Sequence, residues 1–124
     1  MYPTINGWTK SKMIEQIYRF NNGKKAVNHS NGLDLGCLYR DKTNNRCAVG
    51  CFIPDLPEFG LALKATEGVH DLLNAFPKLG DHFPLSPEAM SKLQRSHDYC
   101  GTALDVRAVL KSWIEENVED SESA

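Results

Sequence analysis

Apolar residues recur at helical spacing in four stretches of the chain and form two short uninterrupted runs between the first and second of them. Met13, Ile14, Ile17 and Tyr18 make one stripe of a 3.6-residue repeat. Thr9 stands where a cap belongs, and Trp8 and Met13 are spaced for a hydrophobic staple across it. Asn21-Asn22-Gly23 ends the stripe with residues that tolerate the left-handed conformation of a helix stop. A second helix is expected from near Thr66, carrying Val69, Leu72, Leu73 and Phe76 before Pro77, with Lys78 to Pro84 as an exposed connection. The third has the clearest start: Leu85, then Ser86 as cap, Pro87 at the first helical position and Met90 answering Leu85. Met90, Leu93, His97 and Cys100 follow along its side. A fourth helix is expected after Gly101, capped by Thr102 with Asp105 three residues on, and faced by Val106, Val109, Leu110, Trp113 and Ile114.

The two uninterrupted runs are Gly36-Cys37-Leu38-Tyr39-Arg40 and Cys47-Ala48-Val49-Gly50-Cys51-Phe52-Ile53. The residues before them, His29 to Gly36, are loop chemistry. Between them lies the polar turn Asp41 to Arg46, and Pro54 and Pro57 close the second run. This pattern predicts a β-hairpin over about residues 36–53. A lone hairpin is marginal and must lean on helices. The expected class is therefore α+β, one hairpin packed by about four helices in a single domain over residues 1–118. Residues 119–124 offer nothing to bury and are expected to fray.

Composition supports one globular domain. The chain has 124 residues, 41% hydrophobic and 24% charged, enough to bury a core without a metal or disulfide. No apolar run approaches the length of a membrane span. Asn6, Gly7 and Trp8 stand where a secretion signal would place its apolar core, so a cytoplasmic address with reduced thiols is expected. The net charge of −2 hides an asymmetry. Residues 1–46 carry eight cations and three carboxylates, while Glu115, Glu116, Glu119, Asp120 and Glu122 crowd the last ten positions. A solvated acidic tail accounts for most of this, and without aromatic and basic residues interleaved on one element a nucleic-acid partner is not expected.

Four cysteines and four histidines are the candidate chemistry. A zinc site would take Cys37, Cys47, Cys51 and either His97 or Cys100, since tetrahedral zinc wants four N or S ligands. On a strand, however, Cys47 and Cys51 would lie about 13 Å apart, too far to share an ion. No metal or other cofactor is expected. A nucleophilic site would pair Cys47 with His97, oriented by Asp55 or Asp98, and requires a thiolate in a partly open setting. His97 shares the inward stripe of its helix, which favours a core role satisfied by a hydrogen bond, and Asp98 is expected to point elsewhere. Tyr39, Arg40 and Arg46 place an aromatic and two cations around the turn, where they could stack on a base or fork a phosphate, although a plain solvated turn has the same composition. No glycine-rich phosphate loop is present.

The strings Cys37-Leu38-Tyr39-Arg40, Cys47-Ala48-Val49-Gly50-Cys51-Phe52-Ile53-Pro54-Asp55 and Leu93-Gln94-Arg95-Ser96-His97-Asp98 together resemble a signature of small phage and prophage proteins. The resemblance covers roughly residues 33–100, and its second string is the most specific. It implies a phage-type origin and convergence of Cys37, Cys47, Asp55 and His97 on one site, but it attaches no activity. With small size and no catalytic grammar, it points to a non-enzymatic, host-directed binder or inhibitor with an anti-defence role. Such a protein would bind a bacterial protein or sequester a small signalling molecule in the cytoplasm of an infected or lysogenic host, through Cys37, Tyr39, Arg40, Arg46, Cys47, Asp55 and His97. A cysteine hydrolase or transferase using Cys47 and His97 is the principal alternative, and a small structural zinc domain the second.

Overall fold

A computed structural model describes residues 1–23, 27–30, 33–37, 39–40, 45–62, 68–98 and 104–121, with the backbone alone over 27–30 and 33–37. Among these residues the elements run β1 (Tyr2–Pro3), α1 (Lys10–Phe20), β2 (Val27–Ser30), β3 (Leu33–Cys37), α2 (Val69–Ala75), α3 (Pro87–Asp98), α4 (Val106–Asn117) and β4 (Val118–Glu119), with short 3-10 turns at Gly50–Phe52, Pro57–Phe59 and Pro77–His82. Helices carry most of the ordered structure, and the strands form two small two-stranded sheets. The α+β class holds in that limited sense.

Helix ends follow local chemistry. The Thr9 side chain accepts from Lys12 N at 3.3 Å, and the Asn21 amide closes α1 on Ile17 O. Ser86 Oγ accepts from Ala89 N at 3.4 Å ahead of α3. At α4 the cap is Asp105 rather than Thr102: its carboxylate accepts from Arg107 N at 2.9 Å, and the helix begins at Val106. Thr102 itself lies outside the described residues, as does the expected start of α2 near Thr66; the described helix begins at Val69. Residues 78–84 are more than an exposed connection, because Leu79 and Phe83 enter the core.

The hairpin lies upstream of its expected place. β2 and β3 pair antiparallel, with Val27 opposite Cys37, His29 opposite Asp34 and Ser30 opposite Leu33. Asn31 and Gly32, the residues between the last pair, are the dipeptide with the strongest preference for a two-residue hairpin turn. Among the described residues the expected pairing between 36–40 and 47–53 forms no ladder; one isolated bridge, Arg40 to Arg46, lies just outside the second run, and residues 38 and 41–44 lie outside the described set. Cys47 to Ile53 is no strand. It coils, with Cys51 N donating to Cys47 O at 3.0 Å and Phe52 N to Val49 O at 2.9 Å.

α4 packs on both α1 and α3, α2 on α3, and the coiled segment on α1. The core joins Met13 and Ile17 of α1, Ala48 to Ile53, Met90 and Leu93 of α3, and Leu110 and Ile114 of α4. The residues expected to fray begin with an ordered clasp. Val118 and Glu119 run parallel to Tyr2 and Pro3, Thr4 N donates to Glu119 O at 3.0 Å, and Ser121 N donates to Thr4 Oγ1 at 3.0 Å. Asp120 accepts from Lys10 N at 2.6 Å, placing a carboxylate at the positive end of α1. The sequence reading missed this because hydrogen bonds, rather than an apolar face, hold the segment. Residues 122–124 lie outside the described set. Among the described residues no helix is long and apolar enough to cross a membrane.

Candidate functional site

Gly50 shapes the segment that carries the most specific string. A Cβ on this residue would stand 1.9 Å from Tyr39 O, so only glycine lets the coil lie against the Tyr39 backbone. Cys47 N donates to that same carbonyl at 3.3 Å, and Gly50 N donates to Cys47 Sγ at 3.4 Å. Cys47 and Cys51 thus sit one helical turn apart, with a rise of about 6 Å between them. The spacing argument against a shared ion, which assumed a strand, falls with the strand. Among the described residues no group of three or more His, Cys, Asp or Glu side chains gathers as a ligand set. The Cys37 side chain and all of Cys100 lie outside them.

Arg46 holds the coil from within. It is buried, and its Nη1 donates to Ile53 O at 3.1 Å and to Gly50 O at 3.5 Å, capping the carbonyl end of the turn. Its guanidinium lies 4.5 Å from the centre of the Phe20 ring. Arg46 N donates to Phe20 O, and Asn21 Nδ2 donates to Arg46 O at 2.6 Å, tying the coil to the end of α1. Burial lowers the Arg46 pKa; the charge of Asp55 opposes this and that of Arg40 adds to it. Among the described residues Nε is buried without a hydrogen-bond partner. Turned inward in this way, Arg46 offers no fork to a phosphate outside. Tyr39 is buried too, so neither it nor Arg46 is a solvated side chain; residues 41–44 of the turn lie outside the described set.

Both thiols of the segment are shut away. Cys47 and Cys51 have 0% exposure. Burial pushes the Cys51 thiol up to about 12, against a weaker opposite pull from Arg46. Cys51 is therefore protonated at neutral pH and inert as a nucleophile.

α3 reaches the coil through a side-chain relay. Gln94 Oε1 accepts from Val49 N at 2.9 Å, while Gln94 Nε2 donates to Asp98 Oδ1 at 2.9 Å. His97 Nδ1 stands 2.9 Å from the same Asp98 oxygen. A carboxylate can only accept, so Nδ1 carries the proton and Asp98 orients the ring. Asp98 does not point elsewhere, as its helix position suggested. Adjacent residues diverge at Cβ, but a partly exposed carboxylate beside a buried imidazole turns back to satisfy it.

Of Cys37, Cys47, Asp55 and His97, the four expected to converge, Cys47 lies in the coil and His97 reaches it through Asp98 and Gln94, while the Cys37 side chain lies outside the described residues; of the other binding candidates, Tyr39, Arg40 and Arg46 adjoin the coil. Asp55 is exposed beyond Pro54 and acts on Arg46 through its charge. Gln94, Asn21 and Phe20 were not among the expected site residues. Gln94 was legible: positions 94, 97 and 98 stand at helical i, i+3 and i+4 spacing, which brings their side chains together. The chain matches no protein-family model, no curated protein and no solved structure.

Proposed function

We propose that this is a phage-type, host-directed protein that works by binding rather than catalysis, inhibiting a bacterial protein or sequestering a small signalling molecule in the cytoplasm of its host. One observation carries the reading: the thiols of the most specific string are fully buried, and Arg46 beside them is turned inward onto backbone carbonyls. A cysteine enzyme needs a thiolate that substrate can reach. Here the chemistry-bearing residues of the string act as parts of the fold, which leaves recognition to the outer surface.

The second reading, a hydrolase or transferase using Cys47 and His97, draws support from the oriented His97–Asp98 pair. Native-state alkylation separates the two. With iodoacetamide at neutral pH, Cys47 should react at least about 100-fold more slowly than the same residue in the denatured chain. Rapid modification of Cys47, suppressed by His97→Gln, would overturn the binder reading in favour of the enzyme.

A further inference from the structure

At the C-terminal end of α1 the surface forms an open hollow of about 330 Å3 whose lining includes Tyr18, Arg19, Phe20, Asn21, Asn45 and Arg107. The volume falls at the lower end of the range for small-molecule sites. Among the described residues two cations and no carboxylate line it. Arg19 is exposed, lies 5.3 Å from the centre of the Phe20 ring, and makes no ion pair among the described residues. Arg107 lies 5.3 Å from the centre of the Tyr18 ring. Asp105 holds its fork by two bonds, 3.1 Å from Nε and 2.9 Å from Nη2, and the remaining N–H donors lie outside that pair. A guanidinium fixed in this way loses less freedom on meeting an anion than a loose one.

The floor is polar and equally fixed. Asn21, which is buried, donates from Nδ2 to Arg46 O and accepts at Oδ1 from Gly23 N at 2.7 Å. Asn45, also buried, accepts at Oδ1 from Asn22 N at 2.8 Å. Such a floor suits a polar ligand and disfavours an apolar side chain. Tyr18 is 45% exposed, a large aromatic surface beside two arginines. Rings stack on aromatic faces and on guanidinium planes alike.

We propose that this hollow binds a small anion bearing a planar ring, of the nucleoside monophosphate class, with Arg19 and Arg107 taking the phosphate and Tyr18 the ring. The proposal deepens the binder reading and rests on it, naming a site and a ligand class. None of the residues of the most specific string takes part; Arg46, which precedes it, lies against the Phe20 ring.

Isothermal titration of the full chain with 5′-AMP, ribose 5-phosphate and inorganic phosphate tests it. The expected result is a Kd for AMP of about 1 mM or below, at least about ten-fold tighter than for inorganic phosphate. Arg19→Ala, at an exposed position, should weaken AMP about ten-fold with an unchanged melting temperature, and Tyr18→Ala should narrow the gap between AMP and ribose 5-phosphate. Equal affinity for all three probes would overturn the ring half of the proposal. No binding at about 10 mM, or an affinity indifferent to Arg19→Ala, would overturn the site. Either failure beside slow alkylation of Cys47 removes the hollow and leaves the binder reading standing, whereas fast His97-dependent alkylation removes the binder reading whatever AMP does.

Discussion

Arg46 and Arg19 lie against the same phenylalanine ring, at 4.5 Å and 5.3 Å from its centre, and do opposite things. Arg46 belongs to a coil whose carbonyls at Gly50 and Ile53 need donors in a place water does not reach, so its head is drawn inward. Arg19 sits on the last turn of α1, where solvent meets the helix end, and its head stays outside. Residue type is shared; the unmet hydrogen bonds nearby decide which arginine becomes part of the fold. The coil is consequently a region where substitution costs stability, and the hollow a region where it should cost affinity.

The sharpest way to break this comparison is at Gly50. Gly50→Ala forces a carbon into Tyr39 O and should cost about 4 kcal/mol or more, or prevent folding, whereas Gly60→Ala, whose nearest neighbour would be 3.5 Å away, should cost under about 1 kcal/mol. Urea unfolding of the pair measures the difference, and a mild Gly50→Ala would mean that the coil is not held against Tyr39. Arg46→Ala comes next, at about 3 kcal/mol, because it strands buried carbonyls and empties the space over Phe20. The corresponding Arg19→Ala should change stability by no more than about 0.5 kcal/mol, and equal costs for the two would erase the distinction between them.

Alkaline pH probes the coil without a mutation. Burial raises Cys51 to about 12 from the ordinary thiol value near 9, so the fold favours the protonated form. That stabilisation is complete below about pH 9 and is lost as pH climbs toward 12, because the unfolded chain ionises first. The Cys51 contribution should fall by about 1.4 kcal/mol per pH unit across this window. Denaturant melts of wild type and Cys51→Ala at pH 8, 10 and 11 isolate it: the variant should be flatter, and parallel curves would place Cys51 near solvent.

The smallest expected effect concerns the clasp. Deleting residues 119–124 removes the Glu119, Asp120 and Ser121 hydrogen bonds and should lower Tm by about 3–6 °C, read by calorimetry. No change would restore the frayed tail that the acidic composition suggested.

Legibility in the sequence tracked how local each cause is. The ends of α1 and α3 were readable because Thr9, Ser86 and Pro87 act within one turn of themselves. Cys47 to Ile53 was misread because an uninterrupted apolar run has no period to reveal. What coils it is Gly50 meeting Tyr39, a contact between segments. The hollow was invisible for the same reason, since it draws residues from positions 18–22, 45 and 107. The His97–Asp98 pair was lost to a rule about helix faces that holds for Cβ atoms but not for the tips of side chains.

The parallel pairing of Tyr2 with Val118 also sets a clock. A ribosome makes Val118 long after Tyr2, with nearly all the described chain between them, at about 5–20 residues per second. Until then the first strand has no partner, and the α1 amide at Lys10 waits for a carboxylate that has not been synthesised. Helices α1 and α3 can cap themselves while the nascent chain lengthens. Pairing of β1 with β4 cannot begin until the stretch through Ser121 has emerged, which ties it to the pace of translation.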